Sequence, residues 1–175
     1  MSKKGILFLA FFGVALLFAQ TVTNLTEFKA NIKSNKAEAK KAVKPYLYDG
    51  YKTTYFNYKT YKQVKEVEIY LFNNTEYRLS FNGKSCPKDV TVKIYNADKS
   101  NNNRILLKEI TNVSGGNTII QTKDLNDAYK KSNKKANRLK RVFVNYEIPA
   151  TPTANNSKPS IEDRGAVVLV MGYKN

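Results

Sequence analysis

The 175-residue chain contains no histidine, no tryptophan and one cysteine. Without histidine there can be no catalytic triad, no Cys–His pair and no His-based metal site. A lone Cys86 cannot close an internal disulfide, so the fold must hold through its core. Acidic residues are scarce, 14 against 30 Lys and Arg, which leaves a formal charge of +16. Arginine is scarce as well, five against twenty-five lysines. Lysine is a compact hydrated charge, whereas arginine is the forked grip for phosphate and carboxylate. The excess therefore reads first as a solvated basic surface and only second as a nucleic-acid footprint.

What remains is ordinary globular material: 42% hydrophobic and 25% charged residues argue against wholesale disorder. The length suits one domain plus extras. The chain is organised around its last stretch, residues 165–173, where Ala166 to Met171 are six consecutive apolar residues. A strand with no polar face belongs where both faces are covered, in the middle of a layered sheet or at the heart of a sandwich. It is too short to cross a bilayer as a helix.

Lys3 and Lys4 followed by fifteen uncharged residues, 5–19, form the pattern of a secretory signal peptide over residues 1–20. Cleavage is expected near Ala19-Gln20, although Leu17 is larger than the small residue preferred there. No cysteine sits at that junction, which argues against a bacterial lipoprotein anchor. Losing Lys3 and Lys4 takes the charge from +16 to +14.

Residues 21–44 are expected to form a basic helix or tether. Leu25, Phe28, Ile32, Ala39 and Val43 fall near one face, Asn24 with Glu27 is a weak capping signature, and Pro45 ends the run. Ala30, Ala37, Ala39 and Ala42 offer little area to bury, so the tether stands level with the helix.

Residues 45–175 carry short β-prone runs. Residues 63–72 alternate cleanly, with Val67, Ile69 and Leu71 on one face and Glu66 and Glu68 on the other. With the polar turn 73–76 and the alternation of Tyr77, Leu79 and Phe81, they predict a hairpin. Further strands are expected at 53–61, 90–95, 104–110, 118–122 and 141–148, with a basic interruption at 124–140 and a long exposed loop at 149–163. The sum is an all-β class: an antiparallel β-sandwich of about eight strands, preceded by the signal peptide and the basic helix or tether.

The order of these runs, 67–81, then the Asp89-led 89–95, then 165–173 with Gly172-Tyr173, resembles small bacterial β-sandwich modules of the pre-peptidase C-terminal type. The basic interruption and the 149–163 loop depart from that pattern. The resemblance implies a non-catalytic envelope or secreted accessory module and transfers no functional residue.

Candidate chemistry is thin. Cys86 has no neighbouring base and reads as an incidental or partly buried thiol. Glu66 and Glu68 share the side of a strand, a spacing that can suit glycosidase carboxylates, but alternating charge on an outer face explains them better. Asp124 with Asp127 and Glu162 with Asp163 rank no higher. Asp98, Ser100, Asn102 and Glu109 imitate an EF-hand spacing, yet Asn103 replaces the required glycine, so a polar hairpin turn is expected. No catalytic residue, metal or cofactor is assigned.

Two surfaces remain as partner-binding candidates. Residues 130–141 hold seven cations and no acid; Lys130, Lys131, Lys134, Lys135, Arg138 and Lys140 are taken as an electrostatic site for lipid head groups, an acidic glycan or an acidic protein. The competing reading is a solvated loop. Tyr46, Tyr48 and Tyr51 open a tyrosine run suited to interfaces or sugar stacking, with core packing as its competitor. The expected function is non-enzymatic: an exported accessory protein, periplasmic or at the outer-membrane periphery of a Gram-negative bacterium or secreted, bound to an envelope or outer-membrane complex. The alternative is a glycan- or anionic-polymer-binding module. The export segment argues against nucleic acid.

Overall fold

The computed structural model describes residues 24–174, so the expected signal peptide lies outside the described residues. The chain forms α1 (Leu25–Ala42), β1 (Leu47–Asn57), β2 (Gln63–Tyr70), β3 (Glu76–Asn82), β4 (Thr91–Tyr95), β5 (Leu106–Ile110), β6 (Asn117–Gln121), α2 (Thr122–Ser132), β7 (Arg141–Ile148) and β8 (Arg164–Lys174). The eight strands make two four-stranded antiparallel sheets, ordered β1-β8-β3-β6 and β2-β7-β4-β5. One apolar cluster joins them: Leu79, Phe81, Val167 and Leu169 from the first sheet, Ile69, Val92, Ile94 and Val144 from the second. The fold is mostly β, consistent with a sandwich.

β8 occupies the position its composition demands. It lies between β1 and β3, and residues 166–170 are all fully buried. Val167 and Leu169 enter the cluster between the sheets, while Ala166, Val168 and Val170 face α1. Burying each such valine or leucine contributes about 1.5–3 kcal/mol.

The residues before β1 are a helix packed on the sheet. The Asn24 side chain accepts from the Glu27 amide at 2.8 Å, capping the first turn. Phe28, Ile32, Ala39 and Val43 cover β8, spaced to keep to one stripe. Leu25, expected on that stripe, is 44% exposed, and Asn35 takes a place on it instead, 2.7 Å from the Ser85 hydroxyl. Glu38 meets Lys84 at 2.7 Å, and that hydrogen bond holds its carboxyl below the usual range.

The predicted hairpin over 63–81 is corrected. β2 pairs with β7 and β3 pairs with β6 and β8, so the turn at 73–76, with Asn74 at φ 59°, carries the chain from one sheet to the other. Alternation tells which face of a strand is apolar, not which strand lies beside it. Two strands facing each other across a core satisfy the same pattern. β4 and β5 do form a hairpin, and its turn uses the Asp98 to Asn103 residues: Asp98 accepts from the Ser100 amide at 2.8 Å.

α2 breaks the strand pattern without a sequence signal of its own. Its N-cap is Gln121, whose side chain makes no capping bond, and Leu125 is its one large fully buried residue. Thr122 fixes its start, its hydroxyl accepting from the Tyr77 amide at 2.9 Å. The 149–163 connection has no strand, as expected, but it is pinned: Thr151 N donates to the Lys59 carbonyl at 2.7 Å, and Thr151 and Ala154 are buried. No helix among the described residues is long and apolar enough to cross a membrane.

Candidate anion-binding surface

The basic run becomes the last turn of α2 and the link from there to β7, and it is shaped by its own contacts. Leu139 is buried beneath the link, and its amide donates to Asn126 Oδ1 at 2.9 Å. The Lys140 carbonyl accepts from the Leu71 amide at 2.8 Å, continuing the β2–β7 pairing by one step. The Arg138 guanidinium donates to the Thr75 carbonyl. These bonds tie the link to α2 and to the chain after β2, while its lysine side chains are exposed.

The result is concave. A cavity of about 420 Å³ is lined by Tyr129, Asn133, Lys135, Asn137, Arg138, Lys140 and Arg141, with Asn96 reaching in from beyond β4. No carboxylate lines it. A smaller hollow of about 210 Å³ shares Arg138 and holds Lys123 and Lys130 opposite Glu76 and Asp127. Lys130, Lys131, Lys134, Lys135 and Lys140 are exposed and make none of the six ion pairs among the described residues. Of the cations lining the cavity, Arg141 is paired with Glu68 at 3.0 Å, while Lys135 and Lys140 make no ion pair among the described residues. Like charges gathered around a hollow concentrate a positive potential there. Such a surface can hold carboxylates, sulfates or phosphates.

The three tyrosines do not share one site. Tyr46 is buried, its hydroxyl donating to Gln121 Oε1 at 3.2 Å and its ring facing the Arg78 guanidinium at 4.4 Å. It reaches the smaller hollow only through Glu76, 3.5 Å from its hydroxyl. Tyr48 and Tyr51 are exposed on β1. A bulge at Asp49 puts both on the α1 face, where Lys40 and Lys36 stand 4.4 and 3.3 Å above their rings. Further along the run, Phe56 and Tyr58 are core and Tyr55 is 59% exposed.

Sequence reasoning missed Asn96, Tyr129 and the part played by Arg141. Arg141 stands at the end of the basic run, so a signal for it existed. Asn96 is brought in by tertiary folding alone.

The carboxylates weighed as catalytic candidates on β2 each have a cation. Glu66 sits 3.5 Å from Arg104 and Glu68 3.0 Å from Arg141. On β7, Glu147 lies between Lys62 at 3.0 Å and Lys93 at 3.1 Å; burial works against its charge, and the two lysines still hold it below the usual range.

Cys86 is buried, its thiol 3.4 Å from the Ala166 carbonyl, and burial pushes it up to about 12. The unfolded thiol titrates near 8.5, so between these values the native state holds the extra proton. Stability is therefore expected to fall as pH rises above about 8.5. At pH 8, a thiol reagent such as Ellman's should label Cys86 at least about 10-fold faster in urea than in the folded protein, because the nucleophile is the thiolate. Equal rates would show an exposed thiol.

In comparisons with known proteins, the chain matches no protein-family model and no curated protein sequence.

Proposed function

We propose that the protein is a non-enzymatic binding module of the cell envelope, exported by its N-terminal segment, that attaches to an acidic face of a partner protein or outer-membrane assembly. One observation carries the reading: the cavity between α2 and β7 gathers Lys135, Arg138, Lys140 and Arg141 and is lined by no carboxylate. A merely solvated loop needs no buried Leu139 beneath it. The β-sandwich description and the accessory role implied by the likeness to pre-peptidase C-terminal modules belong to the same proposal. The two sheets supply a rigid frame, and the cationic link supplies the grip.

The test is retention of partners from an envelope extract on immobilised protein across a salt series. Removing one charge-assisted hydrogen bond costs about 1.5–3 kcal/mol, or roughly tenfold or more in affinity. A double variant, Lys135→Ser with Lys140→Ser, is thus expected to retain less than about a tenth of the partner at low salt, with unchanged thermal stability. Partner retention equal to wild type would overturn the assignment of the site. Binding to dextran sulfate as strong as to any extract component, weakening steeply with salt, would replace an assembly partner by an anionic polymer.

A further inference from the structure

β1 and β2 are edge strands of opposite sheets, and residues 58–62 carry the chain between them. Gln63 Nε2 donates to the Asn57 carbonyl at 2.8 Å and ties this seam. Beside the tie opens a hollow of about 340 Å³. Its apolar wall is Phe28 from α1 and Phe56 from β1, with the Tyr55 ring largely exposed. Its polar wall is Lys59, Lys65 and Arg164, and no carboxylate lines it.

The apolar wall is prebuilt. Phe56 lies edge-on to buried Tyr58 with ring centroids 5.4 Å apart. A Cβ on Gly165 would come within 2.4 Å of the Phe56 ring, so glycine is what lets that ring pack against β8. The polar wall is unfinished. The Arg164 Nε is buried without a hydrogen-bond partner, and the guanidinium makes none of the six ion pairs among the described residues. A buried charged donor without an acceptor is costly. Cations lining one hollow with no carboxylate add mutual repulsion, although the Lys59 ammonium also donates to the Tyr61 hydroxyl at 3.0 Å. An anion seated in the hollow offsets the repulsion.

We infer that this seam hollow binds a small acidic sugar, its carboxylate on the Arg164 guanidinium and its ring face against Tyr55. The planar fork of arginine matches a carboxylate in two parallel hydrogen bonds. An exposed tyrosine beside it offers a flat apolar face with a polar tip, and Lys59 and Lys65 can donate to hydroxyls. The volume lies at the lower end of ligand pockets, about 300–1,000 Å³, which suits one ring and not a chain. The site shares no lining residue with the cavity between α2 and β7.

The experiment titrates the full chain with glucuronate, followed by NMR or calorimetry, against glucose, acetate and inorganic phosphate. Saturable glucuronate binding is expected, with glucose and acetate each at least about 10-fold weaker. Arg164→Gln should weaken glucuronate about 10-fold or more, the loss of a charge-assisted pair. Should Arg164→Gln fail to fold, Tyr55→Ser alters an exposed ring only and is expected to weaken glucuronate several-fold while leaving acetate unchanged. The Lys135→Ser/Lys140→Ser variant should bind glucuronate like wild type, which separates this site from the proposed function. No saturation, glucose binding as tightly, or glucuronate binding unchanged in Tyr55→Ser would each overturn the inference. Phosphate binding more tightly than glucuronate would also overturn the sugar class.

Discussion

Leu169→Ala is expected to lower the free energy of unfolding by about 2–5 kcal/mol, read as a fall in urea midpoint at unchanged m-value. Leu169 is fully buried, set in register between Lys52 on β1 and Phe81 on β3, and directed into the cluster shared by both sheets. The neighbouring strands are hydrogen-bonded to β8 on both sides, so the backbone cannot collapse into the space left behind. Partial relaxation is what lets some sites escape with small losses, and a doubly paired central strand offers little of it. Met171→Ala, two residues along the same face but only partly buried, should cost clearly less. A loss under about 1 kcal/mol for Leu169→Ala would mean that β8 is not the centre of the core.

The sequence made β8 readable because six apolar residues in a row leave a strand no wet side. What covers each side was not readable. One cover is the second sheet and the other is α1, and local pattern cannot choose between two apolar partners. The helix was visible in the spacing of Phe28, Ile32, Ala39 and Val43 but stood level with a tether, since alanines promise little buried area. Tertiary contact decided it: Gly172, whose missing side chain leaves Val43 Cβ only 2.9 Å from where a Cβ would sit, brings helix and strand together. The hairpin over 63–81 failed for a related reason, because alternation is blind to strand neighbours. α2 stayed hidden behind a Gln121 cap and a lysine-rich face, with Leu125 too small a signal among the charges.

The candidate surface was half legible. A cationic run without acids is plain in one dimension, but a cavity is not. Leu139, the single apolar residue of size within 130–141, was the clue that the run is anchored and not free. The seam hollow was not legible at all. Phe28, Tyr55, Lys65 and Arg164 come from four separate elements, and only the meeting of the two sheets and α1 puts them around one space.

The contact between α1 and β8 therefore carries more than stability, and Ala39→Asp tests it. Ala39 is fully buried in the cluster with Val43, Val168 and Val170. A carboxylate there has no cation in that cluster, and an uncompensated buried charge costs about 3–5 kcal/mol unless the contact opens. Either the domain loses that stability or α1 lifts from the sheet, exposing the apolar stripe of Ala166, Val168 and Val170 and raising dye binding and aggregation. Gly172→Leu attacks the same contact from the strand side and should act in the same direction. Lys33→Ser, on the exposed face of the helix, should change stability by less than about 0.5 kcal/mol. Because α1 also carries Phe28 into the seam hollow, Ala39→Asp should weaken glucuronate binding even where the sheets stay folded. If Ala39→Asp leaves both urea stability and glucuronate binding at wild-type values, the helix is a tether after all and the seam has lost one of its walls.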